Sequence, residues 1–321
     1  MVPIPRGEAP LRRVVVFGAG FFGRVVARRL AEARIRAVVA SRTRGDIHVD
    51  VEDRGSLARA LQSGDVIVDT AGPFQTRSTA LIEAAIECGC DVVDISDARA
   101  YAQKVIALHA RAVARGVRIL TSCSSIAAVA AAVIRASGAA APDACDLFLA
   151  AAPADTGNPA TVRAFLMSVD WTRSREFPGG GRRGHHVESA AAVLLPRPWP
   201  SLRRVDFWAD PNAPLAAPTL ALAARLGLTR AAELVAPFLA RALGRHDGLF
   251  VVAVREGGRE HLTRLATPRR SYVIAAEPAA LAAESLASGA HIPPGVVPAD
   301  GQVDPDLLFA RLRGLGVDVR S

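Results

Sequence analysis

Apolar runs of strand length alternate with segments of helical spacing from residue 12 to residue 125. "RRVVVF" is a strand that ends in glycines, and in "FGRVVARRLAEA" Val25, Val26 and Leu30 fall on one side with arginines on the other. "IRAVVAS" is a second strand and "DIHVDVED" a short third, followed by the helix "RGSLARALQSG". "DVIVDTAG" is the fourth strand. The helix "TRSTALIEAAIECG" stops at Gly89, and "DVVDISD" is the fifth strand. The helix "ARAYAQKVIALHARAVARG" stops at Gly116 and leads to a sixth strand, "VRILTSCSS". Alternation at such short intervals predicts an α/β fold with a parallel, doubly wound sheet.

After Ser125 the rhythm changes. "IAAVAAAVIRASGA" is one more apolar helix and "CDLFLAAAP" a strand. "SREFPGGGRRGHH" reads as a surface loop that could close over a cleft, and the long stretch before residue 244 as helix broken by proline. "GLFVVAVREGGREHLTRLAT" has two alternating runs around a Gly-Gly pair, the mark of a hairpin. Helices "EPAALAAESLASG" and "DPDLLFARLRGLG" follow. The expected organisation is a dinucleotide-binding domain over residues 10–126, an α+β substrate or dimerisation domain over 127–290, and a segment 291–321 that packs back on the first domain.

The 321 residues suffice for two cores. No apolar stretch reaches the roughly 18 residues of a membrane span, and the start has no apolar core of a signal peptide. Cys88, Cys90, Cys123 and Cys145 form no CxxC pair, so neither a metal site nor a disulfide framework is expected, and a cytoplasmic location fits. The formal charge is +8 and Lys104 is the only lysine, which argues against Schiff-base chemistry. The arginines are spread along the chain without interleaved aromatics, which argues against nucleic acid as a partner and suits an anionic small molecule. A homodimer is compatible with this composition.

"GAGFFG" sets Gly18, Gly20 and Gly23 between the first strand and the first helix. In that context the glycines serve a tight turn, the approach of a pyrophosphate and close helix–strand packing, with Phe21 and Phe22 opening the helix: a Rossmann-type domain. An acid at the second strand's end would mark NAD. Ser41, Arg42, Thr43 and Arg44 stand there instead, which points to the 2′-phosphate of NADP; the alternative is Asp46 reaching back to the ribose of NAD. At the fourth strand's end, Thr70, Ala71, Gly72, Pro73 and Phe74 keep the tip low, as a flat ligand lying across it requires.

"FGAGFFG", "SRT" and "DTAGPFQ…ALIEAAIECGCDVVDISD" resemble the saccharopine dehydrogenase (saccharopine reductase-like) NADP-binding superfamily, with Gly72, Pro73, Phe74, Gly89, Val93 and Asp94 matching its pattern. "PPGVVP" and "LRGLGVDV" resemble its tail more loosely. The resemblance implies an NADP-dependent oxidoreductase acting on an imine or an activated C=C bond of a small molecule, with Asp94 and Ser96 beside the cofactor. A glycine-proline motif usual after the sixth strand is replaced by "TSCSSIAAV", so the substrate-side floor differs.

One side chain must move a proton in such chemistry. Asp94, Asp97, Cys123, Ser124 and Ser125 are candidates at the strand ends, with Arg163, His185 and His186 as substrate contacts and Tyr272 as a further donor. No residue is assigned as catalytic from the sequence. The rival to an enzyme is an NADP-binding regulatory or partner protein without turnover.

Overall fold

The computed structural model describes residues 11–213 and 215–321. In chain order the strands are β1 (Val14–Phe17), β2 (Ala37–Ser41), β3 (Ile47–His48), β4 (Val66–Asp69), β5 (Asp91–Asp94), β6 (Arg118–Leu120), β7 (Ala144–Ala150), β8 (Val169–Glu176), β9 (Arg183–Val187), β10 (Arg204–Asp210), β11 (Gly248–Glu256), β12 (Arg259–Thr267), β13 (Gly295–Val296) and β14 (Asp318–Arg320). They form two seven-stranded sheets.

The first sheet runs β13-β6-β5-β4-β1-β2-β3, with every neighbouring pair parallel. β1, β4 and β5 are buried along their whole length, which is why they are near-continuous Val/Ile runs with no polar alternation. One face is covered by Leu57, Leu81, Ile82, Ile86 and Tyr101 from the intervening helices. The other carries helix Phe21–Glu32 and helix Tyr272–Ala287. That second helix falls within the stretch 127–290, but it is apolar on nearly all sides and is buried between the first sheet and the rest of the chain. The order turns between β1 and β4, so a crevice opens at the carboxyl ends of these strands.

The second sheet runs β14-β12-β11-β7-β10-β9-β8, with β7 and β10 parallel and the other pairs antiparallel. Its inner face joins the main core through Leu147, Phe207, Val252 and Leu265. The outer face has a small cluster of Phe148, Phe177, Trp208, Val251 and Ala253. Arg173 and Arg175 lie over the Trp208 ring at 5.5 and 5.9 Å from its centroid and cover that cluster.

The stretch expected as a surface loop is a hairpin instead. β8 and β9 flank a turn in which Gly179, Gly180 and Gly181 all have positive φ, and β9 pairs with β10. Residues 183–187 are therefore held in a sheet and do not form a lid. The expected third strand shrinks to Ile47–His48, the helix after β4 begins only at Ala80, and the helix after β5 breaks into Arg99–Ile106 and His109–Ala114. The last residues serve both sheets: β13 extends the first beside β6, and β14 extends the second beside β12.

Candidate functional site

A cleft of about 1250 Å³ opens at the carboxyl edge of the first sheet and is walled on its far side by the inner face of the second. This exceeds the roughly 300–1,000 Å³ of a pocket for one small ligand.

The glycines of "GAGFFG" divide their tasks. Gly18 has φ +105°, and a Cβ there would come within 2.7 Å of Thr70 Oγ1. A Cβ on Gly23 would stand 1.7 Å from the Gly18 carbonyl oxygen, so Gly23 faces the turn and is not on the cleft wall. At Gly20 an added Cβ would meet nothing within 4 Å. Gly20 caps the 12-residue helix Phe21–Glu32, whose free N–H groups and positive dipole end suit an anion. Gly18, Gly20, Phe21 and Phe22 all line the cleft. So does Arg24, an unforeseen cation in the helix's first turn, whose Nη1 donates to Ala19 O at 2.9 Å.

At the end of β2, Ser41, Arg42, Thr43 and Arg44 line the cleft. Ser41 Oγ accepts from Arg44 N at 2.9 Å and donates to Arg44 O, which folds the tip into a tight turn. Asp46 turns away: its Oδ2 accepts from Val39 N at 2.9 Å, and it does not reach the cleft wall.

At the end of β4, residues 70–77 form a strap along the cleft floor. Asp69 Oδ1 accepts from Ala71 N at 2.9 Å. Arg77 is buried behind the strap, and its guanidinium donates to Ala71 O, to Asp69 Oδ2 at 3.2 Å and to Glu52 Oε1 at 2.7 Å. This anchor was not foreseen, because in the sequence Arg77 reads as the start of an exposed helix. A Cβ on Gly72 would meet only Phe74, at 3.7 Å, so the bare tip faces open space.

Beyond β5, Asp97 stands half-buried on the cleft wall. Gln75 Nε2 donates to Asp97 Oδ1 at 3.1 Å and to Ser168 Oγ at 3.2 Å, which ties the two halves of the wall together. Burial pushes the Asp97 carboxyl above the usual carboxylate range, although the Gln75 bond opposes the shift. Asp94 and Ser96 are fully buried beneath the cleft and off its wall. Asp94 Oδ1 accepts from Ser96 N and Ser122 N, both at 2.9 Å, so both residues brace the ends of β5 and β6. Cys123 is also sealed off, and burial raises its thiol well above the ordinary value. Ser124 and Ser125 do line the cleft, and among the described residues neither hydroxyl has a hydrogen-bond partner.

From the second domain, Arg163 reaches the cleft with its Nε 4.0 Å from Glu233 Oε1. The two histidines do not. His186 points to the outer face of the sheet, its Nε2 3.3 Å from Asp206 Oδ1 and its ring against Trp208. His185 lies behind Trp171 at 5.0 Å between ring centroids, and burial lowers its pKa. Strand alternation separates them, a constraint that their reading as a loop hid. Tyr272 packs on Phe21 at 5.0 Å and is not on the wall. Among the described residues there is no His/Cys/Asp/Glu group able to hold a metal, and no helix long and apolar enough to cross a membrane.

No curated protein matches the chain in sequence. Among solved structures, the DAP dehydrogenase of C. glutamicum in complex with DAP is 16% identical, covers 95% of this chain and 99% of its own, and superposes with a TM-score of 0.50. It shares the two-domain fold. An engineered D-amino acid dehydrogenase bound to NADP+ is 18% identical over 93% of this chain and 96% of its own, with a TM-score of 0.47. GenD2 from gentamicin A biosynthesis, in complex with NAD, is 14% identical over 100% and 99%, with a TM-score of 0.46. Residues 14–120, the stretch that builds the glycine turn, the β2 tip and the strap, match the saccharopine dehydrogenase NADP binding domain, which identifies this part of the chain as a pyridine-nucleotide-binding domain.

Proposed function

We propose that the protein is an NADP-dependent oxidoreductase that moves a hydride to or from an imine or activated C=C bond of a small molecule. The observation that carries the cofactor choice is at the β2 tip. Asp46 is tied to the β2 backbone, while Arg42 lines the cleft with no carboxylate paired to it among the described residues. A guanidinium there fits a 2′-phosphate by a charge-assisted, two-pronged contact, and the acid of that turn, Asp46, is held away from a ribose 2′-hydroxyl.

Gly20, the first turn of the helix and Arg24 would hold the pyrophosphate, and the strap at Gly72 and Phe74 would support the nicotinamide half. The bound cofactor supplies the hydride. Asp97 is the group suited to the proton: it lines the cleft at the carboxyl edge, and burial favours its protonated form. In the reducing direction its carboxyl proton goes to the substrate atom beside the carbon that takes the hydride, and solvent restores it. The vacant volume beside the unengaged Ser124 and Ser125 favours turnover over a cofactor-bound regulator, which needs no such space.

Calorimetry with NADPH and NADH tests the reading. NADPH should bind more tightly, and Arg42→Ala should remove most of the difference, a loss of about 1.5–3 kcal/mol or roughly ten- to hundredfold. Equal binding of both by the unmodified protein overturns the NADP choice.

A further inference from the structure

The far wall of the cleft is apolar in a way the near wall is not. Leu149, Phe207, Phe165, Leu220, Leu239 and Leu243 face it from the second sheet and from helices Pro159–Ser168, Ala216–Arg225 and Thr229–Leu243. Polar residues on that wall are already engaged within the protein. Asn158 Oδ1 accepts from Thr161 N at 3.1 Å, and its Nδ2 donates to Thr161 Oγ1 at 2.9 Å. Thr156 and Thr219 hydroxyls donate to the carbonyls of Ala152 and Leu215 at 3.0 and 2.7 Å. Asp210 Oδ1 accepts from Asn212 N at 2.8 Å, and its Oδ2 is 3.7 Å from Arg182. Among the described residues Arg163 is the one cation on this wall, and it sits beside Glu233.

A substrate bearing several charges would lose its hydration against such a wall and gain few partners. An alkyl chain has the opposite balance. The same helices also carry Leu222, Leu234 and Phe238, which are more than half exposed and off the wall.

We propose that the substrate carries an extended apolar chain, which lies between the inner face of the second sheet and these three helices, with its reactive polar end towards Asp97, Ser124 and Ser125. The proposal rests on the dinucleotide reading of the opposite wall, and it names the chemistry of the second ligand.

The test is a fluorescence titration of the full chain with dansylaminoundecanoic acid, with NADPH binding followed separately by calorimetry. The probe should bind saturably. Leu239→Asp and Leu243→Asp place a charge on the wall at positions 48% and 60% exposed, where folding tolerates it. Each should weaken the probe about tenfold or more, equivalent to about 1.4 kcal/mol. Val235→Asp, exposed and off the wall, should leave probe binding unchanged. A probe that does not bind, that binds the wall variants as well as the parent, or that glutarate displaces at equal concentration overturns the proposal, whether or not NADPH binds. A wall-sensitive probe in a protein that ignores NADPH sustains the apolar site and overturns the dinucleotide reading instead.

Discussion

Arg29 Nε donates to Glu277 Oε2 at 2.7 Å, joining the helix of the glycine turn to a helix almost 250 residues later in the chain. Glu277 is fully buried, and Arg311 approaches its other oxygen at 3.6 Å. Neither arginine depends on it alone, since Arg29 also pairs with Glu32 and Arg311 with Glu284. Removing the acid leaves each cation a partner, whereas removing Arg29 leaves a buried carboxylate with one distant cation. Arg29→Met should therefore cost about 3–5 kcal/mol, and Glu277→Gln clearly less. Urea denaturation measures both, and the reverse order would refute the asymmetry.

Gly72 and Gly23 should respond in opposite ways to a side chain. Gly72→Val projects into open cleft and should weaken NADPH binding by tenfold or more, an effect of roughly 1.4 kcal/mol, with little change in the apo melting temperature. Gly23→Ala meets the Gly18 carbonyl and should lower the melting temperature first. A Gly72→Val protein that melts early yet binds NADPH normally would mean the bare tip serves packing.

The raised carboxyl of Asp97 gives a pH dependence with a defined sign. Its proton is held more tightly in the folded protein than in the unfolded chain. That contribution to stability is complete below the ordinary aspartate range and is lost as pH rises through the folded value. Asp97→Asn removes the burial penalty of the charge, so at neutral pH it should melt at or above the parent's temperature. In the reducing direction kcat/KM of the parent should fall as the carboxyl deprotonates, and Asp97→Asn should lower kcat and flatten that limb. A pH profile that is unchanged in the variant would assign the proton to another group.

Arg77→Lys should loosen the strap. An ammonium cannot reach Ala71 O, Asp69 and Glu52 together as the guanidinium fork does. NADPH affinity and melting temperature should both fall. If affinity holds while stability falls, the anchor is structural and the strap's position does not depend on it.

The dinucleotide half was legible because its signals are local. A strand–glycine–helix sequence prescribes its own turn: only glycine takes φ +105° at residue 18, and only glycine fits against the turn at residue 23. The continuous Val/Ile runs announced strands covered on both faces, and the absence of an acid after "VVAS" was visible in order. The far half was hidden because its structure depends on partners distant in the chain. "PGGGRRGHH" carries loop composition, yet backbone pairing of β9 with β10 makes its second half a strand and sends His185 and His186 to opposite faces. Gly295 and Val296 become a strand only beside Arg118 and Ile119, and Arg77 becomes an anchor only once Asp69 and Glu52 converge on it. Periodicity and turn chemistry act over a few residues, so a sequence states them directly. Sheet pairing, buried charge partners and the facing of two walls across a cleft arise between residues far apart in the chain, and no short stretch encodes them alone.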